Sequence, residues 1–235
     1  MNRYSLIFCL VCFLSGCVTL GQPIKSEYKQ SINNIAVVSI MGDNFNGVKI
    51  GTTVFNNDQF EEDFSTFGMD RKIEESIATY LKHHSGLNAV IRPDLRKGLR
   101  GNFGYKSNPK QSLERLRSHI QNLKAEGIDA LIIISPSENI FGNTYTHVNG
   151  YGFVVQTFLM MWYAKAYFIS NFTLVDTATQ KIVFDRAWWW WKDIKFSRWQ
   201  KSFLELTLVD QETLKNFFGN VVDSEIPKFL KKFNF

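Results

Sequence analysis

Cys17 is the residue whose surroundings ask for covalent chemistry. Its thiol follows Leu14-Ser15-Gly16, which closes an apolar run from Leu6 to Leu14 preceded by Asn2 and Arg3. That run is too short to cross a bilayer as a helix, which takes about 20 residues. A basic start, a short apolar core and small residues before a cut describe a secretory signal. Cleavage after Gly16 would remove Cys9 and Cys12 and leave Cys17 as the one thiol. The rest of the chain then has no disulfide to form and no cysteine-based metal site or nucleophile. The other candidates for chemistry are sparse. His83, His84, His119 and His147 show no paired metal spacing with carboxylates, and neither His-Glu-x-x-His nor Gly-x-Ser-x-Gly occurs. Gly98, Gly101 and Gly104 do not end in Gly-Lys-Ser/Thr, so they make no phosphate loop. The expectation is a chain with no catalytic residue, no metal and no cofactor.

With cysteine directly after Leu14-Ser15-Gly16, the stretch resembles the lipobox of bacterial lipoproteins. That resemblance implies cleavage between Gly16 and Cys17 and acylation of Cys17, so that membrane lipid is the first partner. Each buried methylene contributes about 0.8 kcal/mol, and two lipid signals suffice for stable anchoring. In enteric lipoproteins an aspartate after the cysteine tends to retain the protein at the inner membrane. Val18 stands there instead, which favours the periplasmic face of the outer membrane. The net charge of +5 is too mild to argue for nucleic acid. Aromatics make up 15% of the chain, with 21 Phe and 6 Trp, a composition that suggests burial, a partner groove or a lipid interface.

The elements that must carry these residues begin after a polar stretch. Residues 1–16 read as signal, 17–31 as a lipidated tether and 32–235 as a single α/β domain with an aromatic hairpin insertion near 139–165. Ile35 to Met41 is a continuous apolar run, typical of a strand buried on both faces. Asp43 to Asn46 reads as a turn and Val48 to Phe55 as a second strand. Met69, Ile73, Ile77, Tyr80 and Leu81 fall at helical spacing. Leu87 to Ile91 is a short strand stopped by Pro93. Pro109 opens a helix with a stripe of Leu113, Leu116, Ile120 and Leu123, and Ile128 to Ser135 is a second central strand. Tyr145 to Phe153 carries Asn149-Gly150, a hairpin signal. Phe168 to Val175 and Lys181 to Trp191 pair as a hairpin through residues 176–180. The end is helical, bent or broken at Pro227. The fold class expected is α/β, leaning to α+β: a mixed, partly parallel sheet covered by helices, with an antiparallel hairpin in the second half and a C-terminal helix.

Ile35-Ala36-Val37-Val38, Ala89-Val90-Ile91, Gly127-Ile128-Asp129-Ala130-Leu131-Ile132 and Leu174-Val175-Asp176 come in an order similar to a group of envelope proteins. The chain resembles the domain of the curli-secretion channel lipoprotein and, more distantly, the amino-terminal domain of the Tol–Pal translocation protein. Gln180 stands where that group usually has glycine. The resemblance implies no catalytic apparatus. In the secretion channel, protomers ring together and donate hairpins to an outer-membrane pore; the corresponding segments here are about 139–165 and 187–203.

Two constellations could bind. Trp188-Trp189-Trp190-Trp191 on a strand sends Trp188 and Trp190 to one face and Trp189 and Trp191 to the other. One pair, with Trp199 beyond it, is exposed unless the C-terminal helix and the 153–168 arm cover it. Trp162 lies in the apolar block Phe158–Tyr163. Trp162, Trp189, Trp191 and Trp199 are therefore candidate contacts for an envelope protein partner. From Arg92 to Arg117, eight Lys and Arg meet only Asp94 and Glu114, so Arg96, Lys97 and Arg100 are candidates for an anionic surface; the bland alternative is a solvated face. The reading is a lipid-anchored envelope protein that binds or scaffolds other components without catalysis. The alternative is a ring-forming channel subunit, a homo-oligomer.

Overall fold

The computed structural model describes residues 23–100, 103, 109–141, 146–158, 161–196 and 198–235. Gly16, Cys17 and the expected leader lie outside the described residues. The strands are β1 (Asn34–Ser39), β2 (Asn44–Ile50), β3 (Asp58–Asp63), β4 (Asn88–Ile91), β5 (Ala130–Pro136), β6 (Glu138–Phe141), β7 (Thr146–Asn149), β8 (Tyr151–Phe158), β9 (Met161–Asp176) and β10 (Lys181–Ile194). The helices are α1 (Ser26–Gln30), α2 (Met69–Tyr80), α3 (Arg96–Leu99), α4 (Pro109–Arg115), α5 (Arg117–Ala125), α6 (Leu208–Asn220) and α7 (Ile226–Lys232). The architecture is the expected one: a mixed, partly parallel sheet, a small second antiparallel sheet, and helices that include the C-terminal one.

β9 is the seam of the large sheet. β10 runs antiparallel along one edge of it, from Ala164 to Asp176. The other edge is shared: β5 pairs with Ser170–Asp176 and β8 with Met161–Phe168. β5 and β8 therefore lie end to end. Where they meet, the Gly150 N–H donates to the Ser137 carbonyl (3.1 Å) and the Ile169 N–H to the Gly150 carbonyl (2.7 Å). β1 continues the sheet parallel to β5, with β4 parallel beyond it. β2 does the same beside β8, with β3 antiparallel beyond it.

Both faces of the sheet are apolar, as the continuous runs in β1 and β5 require. Ile35, Val37, Ile132 and Ile134 face a core completed by α2, α6 and α7. Ala36, Val38, Leu131 and Ile133 face Leu95, Leu99, Leu116, Ile120 and Leu123 from α3–α5 and the turns beside them. The far half of this second face is covered instead by the β6–β7 hairpin, through Phe141 and Val148 on Val154, Tyr167 and Ile169. Pro227 sits in the first turn of α7, and the ladder widens into a π-helical turn, Val221–Glu225, just before it. A missing N–H and a crowded ring make that adjustment necessary.

Three local expectations are corrected. Asp43–Asn46 is not a turn: β2 begins at Asn44, because Gly42 (φ +79°) makes the break earlier. β3 was missed because acidic residues occupy it; half-exposed Glu and Asp mask a strand that Phe60 anchors to the core. Asn149-Gly150 does not turn a hairpin within 145–153, because β7 pairs with β6 whereas β8 pairs with β2 and β9. It is the corner at which the chain leaves β7 and enters β8, with Gly150 at φ +60°. The tether also ends early. Ile24 and Ile32 are buried, the Ile24 N–H donates to the Phe233 carbonyl (3.1 Å) and Lys29 Nζ to the Phe235 carbonyl (3.0 Å).

At Gly152, opposite Asn46 in the β2–β8 pair, a Cβ would stand 1.9 Å from the Asn46 carbonyl oxygen. Backbone cannot yield as a side chain can. Gly152→Ala should therefore lower stability by about 1–3 kcal/mol or more, read from denaturant midpoints; an unchanged midpoint would mean that the two strands are not in close register.

Candidate functional site

Alternation along β10 divides the tryptophans as the strand period demands. Trp188 packs on the helix side, with ring centroids 5.6 Å from Phe168 and 5.6 Å from Phe229. Trp191 points the other way and is half-buried, 5.4 Å from both Phe141 and Tyr167. Its cover is the β6–β7 hairpin, through Phe141, together with Tyr167 of the expected 153–168 arm. Trp189 has none and is 51% exposed. Trp199 is half-buried between Phe60 and Phe153, both 5.7 Å away, and its Nε1–H donates to Asp58 Oδ2 (3.2 Å). Of the four candidate contacts, Trp162 and Trp189 are exposed, whereas Trp191 and Trp199 are packed within the domain.

Trp162 (50% exposed) does not stand alone. It lies opposite Thr157 at the β8–β9 turn, and the Thr157 carbonyl accepts from Thr52 Oγ1 (3.4 Å) in the β2–β3 loop. That loop carries Phe55, 92% exposed, and Tyr163 beside Trp162 is 44% exposed. Three aromatic side chains thus share one end of the sheet. Lys165 sits 5.0 Å from the centre of the Tyr163 ring and pairs with Asp193 (3.2 Å). A hydrogen bond with Tyr163 holds the Lys165 ammonium above its usual range, with burial acting against it. Neither Phe55 nor Tyr163 was singled out from sequence. The available signal was an apolar residue inside a turn, Phe55 before Asn56-Asn57.

The basic stretch has a different use. Arg96 Nε donates to Glu74 Oε1 (3.1 Å), and Arg100 Nη2 to Asp70 Oδ2 (2.6 Å). Arg92 pairs with Asp94 (2.8 Å) and also with Glu126. Glu74 and Asp70 are buried on α2, where Ser39 also meets them: its N–H donates to Glu74 Oε1 (2.9 Å) and its hydroxyl to Asp70 Oδ1 (2.7 Å). Burial pushes the Glu74 carboxyl above its usual range, against the lowering effect of the Arg96 bonds. Arg96 and Arg100 therefore tie the 92–100 segment to α2; Lys97 and Arg100 are both exposed, but the Arg100 guanidinium is engaged with Asp70.

Among the described residues, all four histidines are exposed and no group of three or more His, Cys, Asp or Glu is placed to hold a metal. His84 stacks on Tyr80 (4.6 Å) and His147 Nδ1 lies 2.7 Å from Glu138. No described helix is long and apolar enough to cross a membrane. What the arrangement offers chemically is contact surface.

No protein-family model matches the sequence, and no curated protein matches it. Solved structures do overlap with it. Protein XCC0632 from Xanthomonas campestris is 9% identical, with 83% of this chain and 82% of that one covered at a TM-score of 0.40. Lipoprotein GNA1162 from Neisseria meningitidis is 12% identical, with 79% and 97% covered at 0.34. The C-terminal domain of LpoB from Salmonella enterica is 12% identical, with 77% and 93% covered at 0.29. At these scores the overlaps decide neither family nor task.

Proposed function

We propose that this chain is a lipid-anchored envelope protein, held at the periplasmic face of the outer membrane through acylated Cys17, that binds another envelope component through its aromatic end without catalysis. The observation that carries this reading is the grouping of Phe55, Trp162 and Tyr163 at the end of the sheet away from Ile24. Trp162 and Tyr163, neighbours on β9, face opposite sides of that end, and exposed aromatic side chains of this kind mark an interaction site. Ile24 packs beside Phe233, which touches Phe184 near the start of β10. The aromatic end lies at the far end of β9, and a strand of that length spans roughly 50 Å. Seven residues from Cys17 to Ile24 reach at most about 25 Å. The anchor therefore holds one end, and the aromatic end can stand well off the membrane surface.

The ring-forming channel subunit is less well supported. Its pore would need segments 139–165 and 187–203 to leave the domain, yet Trp191 and Trp199 hold the second one down.

Two variants test the reading together. Cys17→Ser should move the protein from the membrane fraction to the soluble one; full retention would overturn the lipid anchor. Phe55→Ser with Trp162→Ser should leave the unfolding midpoint unchanged and remove most in-cell crosslinks to envelope proteins. An unaltered crosslink pattern would overturn the assignment of the aromatic end.

A further inference from the structure

β10 has a free side. Its inner edge pairs with β9, and among the described residues no strand pairs with its outer edge. Exposed edges are usually guarded by charge or by a bulge, and both ends of β10 are. A register shift lies between Ile182 and Phe184, Asp185 follows it, and Lys192-Asp193 close the far end. Between those guards Arg186 to Trp191 carries one charge in six residues, a length that suits one added strand.

Beside this edge runs a groove of about 310 Å³ between β10 and α7. Trp188, Phe229 and Phe233 give it an apolar floor, and Arg186, Lys228 and Lys232 outnumber its single carboxylate, Glu225. Lys228 Nζ bonds Glu225 Oε1 (2.7 Å), which leaves the groove net positive. Lys228 and Lys232 are one helical turn apart, about 6 Å between Cβ atoms. Alternate side chains of an extended strand are separated by about 6.6 Å. The match is with acidic residues at every second position.

A second copy of this chain fits poorly. Two-fold antiparallel pairing of β10 with itself would set the Lys228 and Lys232 of both copies along one face, and like charges repel. We propose that the β10 edge from Arg186 to Trp191 takes an extended, acidic segment of a partner protein as an added strand, with its alternate acidic side chains over Lys228 and Lys232. Main-chain bonds would supply affinity and the groove specificity. This rests on the reading that the protein works by binding an envelope protein, but it uses a different surface from the aromatic end.

The test uses full-length protein in mild detergent, titrated with a capped eight-residue peptide of alternating Glu and Val and followed by tryptophan fluorescence. The Glu–Val peptide should bind at least tenfold more tightly than a Lys–Val peptide. The advantage should vanish in Lys228→Ser/Lys232→Ser. Of two Glu–Val peptides N-methylated on opposite alternate amides, one should lose binding and the other keep it. The Phe55→Ser/Trp162→Ser variant should bind as the parent does, so failure at one surface is distinguishable from failure at the other. Equal affinity for the Glu and Lys peptides, equal binding of both N-methylated forms, or a dimer that Ala187→Lys dissociates would each overturn the proposal.

Discussion

Arg96→Ala should cost the fold about 3–5 kcal/mol at neutral pH, because it strands a carboxylate in the interior. The Glu74 side chain is fully buried, whereas Arg96 is 26% exposed. Removing the cation therefore leaves the more deeply buried partner uncompensated. Truncating Glu74 instead would leave an arginine that can turn to water. The loss should also depend on pH. Burial already raises the Glu74 pKa above its unfolded value, so the native state binds more protons than the unfolded one across that interval. Stability then falls as pH rises from about 4.5, the ordinary value, through the raised native value. Without Arg96 the native value rises further and the interval widens. The two proteins should run parallel until the pH reaches the raised native value of Glu74 in the parent, and diverge above it. Urea midpoints between pH 4 and 8 measure this; a constant difference would mean that Glu74 is not the titrating group.

Phe45→Ala should cost about 3–5 kcal/mol, in the range for a buried aromatic replaced by alanine. Phe45 is fully buried on β2 and is the hub of an aromatic cluster, with centroids 5.1 Å from Phe64, 5.8 Å from Phe153, 5.2 Å from Phe203 and 6.0 Å from Phe218. These neighbours come from the turn after β3, from β8, from the segment before α6 and from α6 itself, so the cavity cannot close by moving one element. The effect should appear in the unfolding rate and in exposure of the β2–β3 hairpin to hydrogen exchange. A loss under 1 kcal/mol would mean that the cluster repacks.

The sheet was legible where its strands are buried on both faces. Ile35–Val38 and Leu131–Ile134 can hardly be anything else, and the turn at residues 176–180 announces its hairpin through Asp176 and two threonines. Gln180 adopts φ +56° there, a conformation that glycine takes at less cost. The edge strand β3 was not legible, because Phe60 is its one apolar residue among acidic neighbours. The charge arithmetic misled for a physical reason. Eight cations and two acids within residues 92–117 look like a free basic face, but Asp70, Glu74 and Glu126, which neutralise three of them, lie outside that window. The tryptophan run announced a strand with a wet side, but its cover, the β6–β7 hairpin, has only one apolar residue per strand aimed at it. A pattern so short gives no sequence signal.

The seam has a consequence for how the chain comes into being. Until β9 has been synthesised, β5 and β8 each present a bare row of amides and carbonyls, and the strands beside them can pair only in parallel. Such pairing joins residues far apart along the chain and forms slowly. A polypeptide stalled or clipped before Met161 would thus carry two sticky borders instead of one guarded edge, and aggregation should set in with that fragment before it does with the finished protein.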